Sequence, residues 1–324
     1  MNLQVSSSPH IRDNATTTRL MLDVIIALLP ALVVSIYMFG LRSLYIVLLT
    51  TGSAVLFEYL CRRLMKRYNS ISDLSAVVTG LLLSFNLPPT VPVWLPIIGS
   101  FVAIVVVKQM FGGIGQNFVN PALAARIILT LSFPAAMTRW AILSSRLEGS
   151  GGIIGEGVDL IATATPLYLI QAGENGGAAM PDYLDLLTGL KGGCLGEVSI
   201  LALSIGIIYL FIRKVITPWI PLTYIGTVAA LTAAFGQDPL YHVLSGGLFL
   251  GAFFMATDYV TSPLSRKGKI IFGVGCGLIT ALIRLFGGMT EGVSFAILFM
   301  NILTPHIDNW TIPVPFGGVR HAKS

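Results

Sequence analysis

Thr165 stands in the run DLIATATPL, residues 159–167, and its hydroxyl is the first group in the chain with chemistry to offer. A threonine hydroxyl is a weak nucleophile, so unaided it does little beyond hydrogen bonding. The plain structural alternative is a helix start. Threonine before proline is a good N-cap with proline at the first helical position, and YLIQA can continue that helix. A second set consists of charges lying in or beside apolar runs: Lys108, Arg126, Asp258, Arg284 and Glu291. Charge at membrane depth is costly, and it marks ion paths or buried pairs. The bland alternative is that these groups cap helices or anchor at headgroups. His10, His242, His306 and His321 show no ligand spacing, and Cys61, Cys194 and Cys276 form no CxxC. No metal site is therefore expected. No nucleophile–base or acid–base set is visible, so no catalytic residue is assigned.

The elements that must position these groups are membrane helices. The 324 residues are 54% hydrophobic and 11% charged, with a mean hydropathy of +0.82, whereas soluble domains carry about 25% charge. The formal charge of +5 has a source other than nucleic acid, because membrane proteins collect Lys and Arg in cytoplasmic loops. A crossing helix needs about 20 apolar residues. Ten spans are predicted: 19–40, 43–61, 72–87, 93–110, 120–134, 197–213, 217–236, 240–257, 269–286 and 291–304. With both termini cytoplasmic, 14 of the 20 basic residues fall on cytoplasmic segments and their flanks. The expected fold is an all-α, multi-pass protein of the cytoplasmic (inner) membrane. Its parts are an N-tail with five helices (1–134), one long extracytoplasmic loop (135–196), and five more helices with the C-tail (197–324).

The halves resemble each other. KQMFGGIGQNF at 108–118 and IRLFGGMTEGVSF at 283–295 each place a basic residue shortly before Phe-Gly-Gly, then a polar residue and a helix. Five spans per half is odd, so the repeats are expected to lie inverted, a common plan for moving something across a bilayer. Asn117 and Asn120 border the start of the fifth span. Freed backbone groups at such ends can hold an anion or a polar cofactor edge.

The FGG-x-G-x-N-x-x-NPA block, the SGGLFLGAFFMATDYVTSP block and the acid–x–x–x–x–A–T–P–L loop together resemble the D subunit family of the Rnf complex. More distantly they resemble the B subunit of the sodium-pumping NADH:quinone reductase. The likeness runs from SSSPHI to the PFGG near the end. It implies FMN carried on Thr165 through a phosphoester, attached by a separate flavin transferase. Asp159, Thr163, Ala164 and Pro166 stand around that position, and Ala162 replaces the Ser or Thr common three residues earlier. It further implies a noncovalent riboflavin, placed near the FGG turns (Gly112, Gly113, Asn117, Asn120, Gly287 and Gly288). The implied partners are the A, B, C, E and G subunits, and the implied role is to couple ferredoxin-to-NAD electron flow to Na⁺ or H⁺ translocation. Two competing classes remain. One is a solute transporter or channel with five-plus-five topology and no flavin, and the other is a scaffold whose loop docks partners.

Overall fold

The computed structural model describes residues 16–143, 160–162, 165–172, 181–197, 199–288 and 291–311. Helix α1 (Thr17–Phe39) starts on Thr16, whose side chain accepts from the Arg19 N–H. It stops at Gly40, whose φ of 75° reverses the chain directly into α2 (Leu41–Leu64). The left-handed region suits glycine, which has no Cβ to clash there. Helix α3 (Ser75–Phe85) is short and buried on almost every residue. Helix α4 begins at Trp94–Phe101 and continues in π geometry through Val102–Gln109, a feature frequent at functional sites. Helix α5 (Pro121–Ser132) has Asn120 as its cap and Pro121 in its first turn, and the single turn α6 (Pro134–Met137) follows.

The connecting segment adds one short strand pair to an otherwise helical fold. Strands β1 (Ala141–Leu143) and β2 (Leu160–Ala162) pair antiparallel, with Ala141 opposite Ala162. Two short helices follow, α7 (Pro166–Ala172) and α8 (Tyr183–Thr188). The second half holds α9 (Ile200–Ile212), α10 (Trp219–Ala234), α11 (Pro239–Leu244), α12 (Leu248–Leu250, continued in π geometry by Gly251–Met255), α13 (Arg266–Phe286) and α14 (Val293–Thr311).

Two spans differ from expectation. The run 240–257 is broken at Ser245–Gly247, where Gly246 has a φ of 67° and separates α11 from α12. The last helix runs beyond 304 to Thr311, continuing past Pro305. Among the described helices α1, α2 and α13 are long and apolar enough to cross a membrane, and five shorter apolar helices accompany them.

One hydrophobic core draws on both halves, from Leu28 of α1 and Phe85 of α3 to Leu203 of α9, Phe272 of α13 and Ile297 of α14. Small residues let the backbones close. A Cβ on Gly206 of α9 would overlap the Ala27 carbonyl oxygen of α1, and one on Gly273 of α13 would overlap Thr223 Oγ1 of α10. Such seams are the usual packing device where lipid removes the hydrophobic drive between helices. Large apolar side chains such as Val33, Leu48, Ile212 and Leu222 face outward, as lipid-facing positions do.

Candidate functional site

Thr165 caps α7. Its Oγ1 accepts from the Tyr168 N–H at 3.2 Å, and its carbonyl accepts from the Leu169 N–H at 3.1 Å. The helix start read from Thr-Pro is therefore present. The open, accessible stretch is not, because Thr165 is only 4% exposed. The reason is docking of α7. Ile170 packs on Leu186, Ile200, Tyr241 and Leu244, while Leu167 lies so close to Gly246 that a Cβ there would come within 2.8 Å of its Cδ1. Asp159, Thr163 and Ala164 lie outside the described residues.

A first buried charge cluster joins α2, α3 and α4. Lys108 donates to Glu58 Oε2 at 2.8 Å and to Ser75 Oγ at 2.6 Å. The other Glu58 oxygen accepts from Ser70 Oγ at 2.5 Å, and Ser75 Oγ donates its own proton to Asp73 at 2.5 Å. Beside it lies a cavity of about 100 Å³ lined by Lys108, Thr79, Asn117, Asn120 and Asp258, among others. Asp258 accepts from the Val260 N–H and the Thr261 hydroxyl, and Asn117 donates to the Val119 carbonyl. Asn120 accepts from two N–H groups of α5, and its Nδ2 lies 3.4 Å from the Met255 carbonyl of α12.

A second buried cluster crosses between the halves. Arg126 of α5 donates through Nη1 to Asn86 at 2.5 Å and to Glu197 at 3.1 Å, and through Nη2 to Glu291. Asn86 ends α3, Glu197 closes the connecting segment, and Glu291 precedes α14. The connecting segment reaches this depth by completing the frayed end of α3. The Leu195 and Gly196 N–H groups donate to the Leu87 and Phe85 carbonyls at 3.0 and 2.9 Å. Two more cations sit close by on backbone carbonyls. Lys191 donates to Leu244 at 2.8 Å, and Arg284 donates to His242 at 2.6 Å and Ser245 at 3.2 Å. Burial pushes the Lys191 pKa down to about 8, whereas a guanidinium stays charged.

The two FGG turns do not share a backbone. Gly112 and Gly113 have φ of 126° and 104°, and a Cβ on Gly113 would overlap Arg62 Nη2. Gly287 is extended, with φ −83° and ψ 155°, while Gly287 and Gly288 are both exposed. The structure thus brings Arg126, Glu291 and Arg284 into one neighbourhood and holds Lys108 and Asp258 at another. It adds Glu58, Lys191, Glu197 and Asn86, which the sequence pattern alone does not nominate as site residues. Glu58 was detectable as the one acid within the second apolar run. Lys191 and Glu197 were not, because they lie in or beside a polar loop.

Residues 4–317 match the model of the NQR2, RnfD, RnfE family. Among similar proteins, the D subunit of the Na⁺-translocating ferredoxin:NAD⁺ oxidoreductase complex of Acetobacterium woodii is 51% identical, over 100% of this chain and 98% of its own length. The D subunit of the proton-translocating ferredoxin:NAD⁺ oxidoreductase complex of Clostridium ljungdahlii is 43% identical, over 98% and 96%. The D subunit of the ion-translocating oxidoreductase complex of Stutzerimonas stutzeri is 40% identical, over 95% and 94%.

Proposed function

This chain belongs to the NQR2, RnfD, RnfE family, and we propose that it is the D subunit of an ion-translocating ferredoxin:NAD oxidoreductase that carries FMN on Thr165. It is a multi-pass membrane protein, and its relatives are named as subunits of a redox enzyme complex. The structural observation that supports an ion-coupling role is the Arg126 bridge. It places a guanidinium and two carboxylates inside an apolar protein, at the seam between its halves. Charges at such depth are retained for function. Ten crossings in two inverted repeats, with cytoplasmic termini and an extracytoplasmic 135–196 segment, account for the distribution of basic residues. The A, B, C, E and G subunits of the Rnf complex are the partners, and Na⁺ or H⁺ is the cargo. The names of the relatives include both ions.

Thr165 fits the covalent group, since its hydroxyl stands on a docked helix start rather than inside a helix. FMN supplies electron acceptance and donation when bound, and the protein positions and tunes it. The burial of Thr165 implies that the flavin transferase acts before α7 docks. The noncovalent riboflavin fits less well. The cavity beside Asn117 and Asn120 measures about 100 Å³, below the roughly 300–1,000 Å³ of small-molecule pockets, so no step is routed through it.

The test is in-gel fluorescence of the denatured protein, made in cells with a working flavin transferase, comparing wild type with Thr165→Val. Fluorescence in the wild type that vanishes in the variant is the expected result. A dark wild-type band would remove the flavin and move a transporter without cofactor to the front.

A further inference from the structure

Four cations crowd the last turn of α2 and the residues just after it: Arg62, Arg63, Lys66 and Arg67. The chain turns sharply there. Lys66 has a φ of 52°, and the Arg67 N–H closes the helix end on the Arg62 carbonyl at 3.0 Å. We propose that this helix end binds the headgroup of an anionic phospholipid whose acyl chains lie along α2.

The charge there is uncompensated. None of the four cations forms an ion pair among the described residues. The nearest acids along the chain are committed elsewhere, Glu58 to Lys108 and Ser70, and Asp73 to Ser75. The C-terminal end of a helix offers about half a negative charge, far short of four cations. Cations at other helix ends are engaged. Arg42, at the opposite end of α2, donates to the Thr90 and Val91 carbonyls. Arg213 pairs with Asp23, and Arg266 lies 3.5 Å over the Trp219 ring. The cluster after α2 makes long contacts instead, 3.4 Å from Arg63 to the Tyr59 hydroxyl and 3.5 Å from Arg67 to the Gln109 carbonyl.

An exposed apolar stripe leads to the cluster. Leu41, Tyr45, Leu48, Leu56, Leu60 and Leu64 of α2 all face outward, at the three- and four-residue steps that keep one side of a helix together. The helix has 24 residues, about 36 Å at 1.5 Å per residue. Its charged end therefore emerges at headgroup level from a hydrocarbon core of about 30 Å. Tyr59 and Tyr68 are exposed beside the cations, and tyrosine is enriched at that level of a membrane.

The two features together select the occupant. An acidic protein surface accounts for the cations alone. A phosphate joined to hydrocarbon chains accounts for the cations and for the stripe that runs into them. Arg63 and Arg67 can each fork onto phosphate oxygens, and basic sites beside membrane helices take such headgroups. Arg62 has a separate duty. Its Nη2 lies where a Cβ on Gly113 would fall, so it packs on the turn that follows α4.

The test titrates the full-length protein in detergent with dioleoyl phosphatidylglycerol, dioleoyl phosphatidylcholine and glycerol phosphate, and counts bound molecules by native mass spectrometry. Phosphatidylglycerol should bind at concentrations where the zwitterionic lipid with the same chains does not. The triple variant Arg63→Gln, Lys66→Gln, Arg67→Gln should weaken that binding on the order of a hundredfold, at about fivefold for each cation lost. Its unfolding temperature in phosphatidylcholine should match wild type, because the three side chains are exposed. Lys214→Gln with Lys267→Gln removes two exposed cations from the second half and should leave binding intact. Equal binding of the two lipids by the wild type, or full binding by the triple variant, would overturn the proposal. So would displacement of the lipid by glycerol phosphate at equal concentration, which would make this a site for a free anion. Binding by the isolated chain that is absent from the whole complex would also overturn it, giving the face to a partner subunit.

Discussion

The Lys108 and Arg126 clusters are both buried, but they are built on different plans. The first lies wholly within the first half, on α2, α3, α4 and the turns between them, with one cation facing one carboxylate. Both oxygens of Glu58 are satisfied, and a serine relays to Asp73. The second draws on α5, the connecting segment and the start of α14, with one guanidinium shared between two carboxylates. Lys191 and Arg284 stand close by, and Glu197 Oε2 has no hydrogen-bond partner among the described residues. A closed pair inside one rigid half can survive any motion of the halves. A shared bridge between halves cannot, because relative movement must lengthen one of its bonds. If the chain has the proposed function, this difference would make the Lys108 cluster a support and the Arg126 cluster the coupling element.

The largest effect should come from Arg126→Ala. It strands two carboxylates at once, and leaving one buried charge unpaired costs about 3–5 kcal/mol. Unfolding in detergent, followed by heat or denaturant, should show a loss at or above that range. Arg126→Lys should recover less than half of it, since a single ammonium cannot replace the planar fork that reaches both acids. A stability within about 1 kcal/mol of wild type, the range of an exposed ion pair, would show that the bridge is not closed in the membrane.

Lys108→Met comes next, at about 3 kcal/mol, because one carboxylate is stranded rather than two. Glu58→Gln added to it should restore most of the stability and most of the coupled ion transport, since the stranded charge is then gone. The matching repair at the other cluster, Glu291→Gln added to Arg126→Ala, should restore stability in part but not transport. Equal rescue of transport in both pairs would erase the distinction between the clusters.

What the sequence disclosed follows from range. Apolar runs and local caps are short-range signals, so α1, α2, α4, α5 and the Thr165 and Asn120 helix starts stand close to their expected places. Lys108 meets Glu58 across 50 positions, and Arg126 meets Glu291 across 165. No local pattern encodes such partners. The break at Ser245–Gly247 hid inside a continuous apolar run, because hydropathy registers glycine as neutral. The close packing there is tertiary: a Cβ on Gly247 would lie 2.5 Å from Glu197 Oε1. The burial of Thr165 was equally hidden, since it depends on α7 meeting α8 and α11.

Asn120 offers the smallest and sharpest test. It stands where α5 begins beside the Lys108 cavity, and Arg126 lies on the same helix six residues on. Its side-chain oxygen accepts from the Ala122 and Leu123 N–H groups at 3.0 and 3.3 Å. Losing such a cap costs about 1 kcal/mol. Asn120→Ala should therefore lower stability by about that amount, and Asn120→Ser, a neutral cap of similar strength, should keep the cap while losing the Nδ2 contact to Met255. If α5 is only a rigid carrier for Arg126, transport by the folded fraction should be unchanged in both variants. A loss of transport in Asn120→Ser, with stability near wild type, would mean that the contact with α12 is itself part of the coupling. The line between the supporting and the coupling regions would then run through α5 rather than between the two clusters.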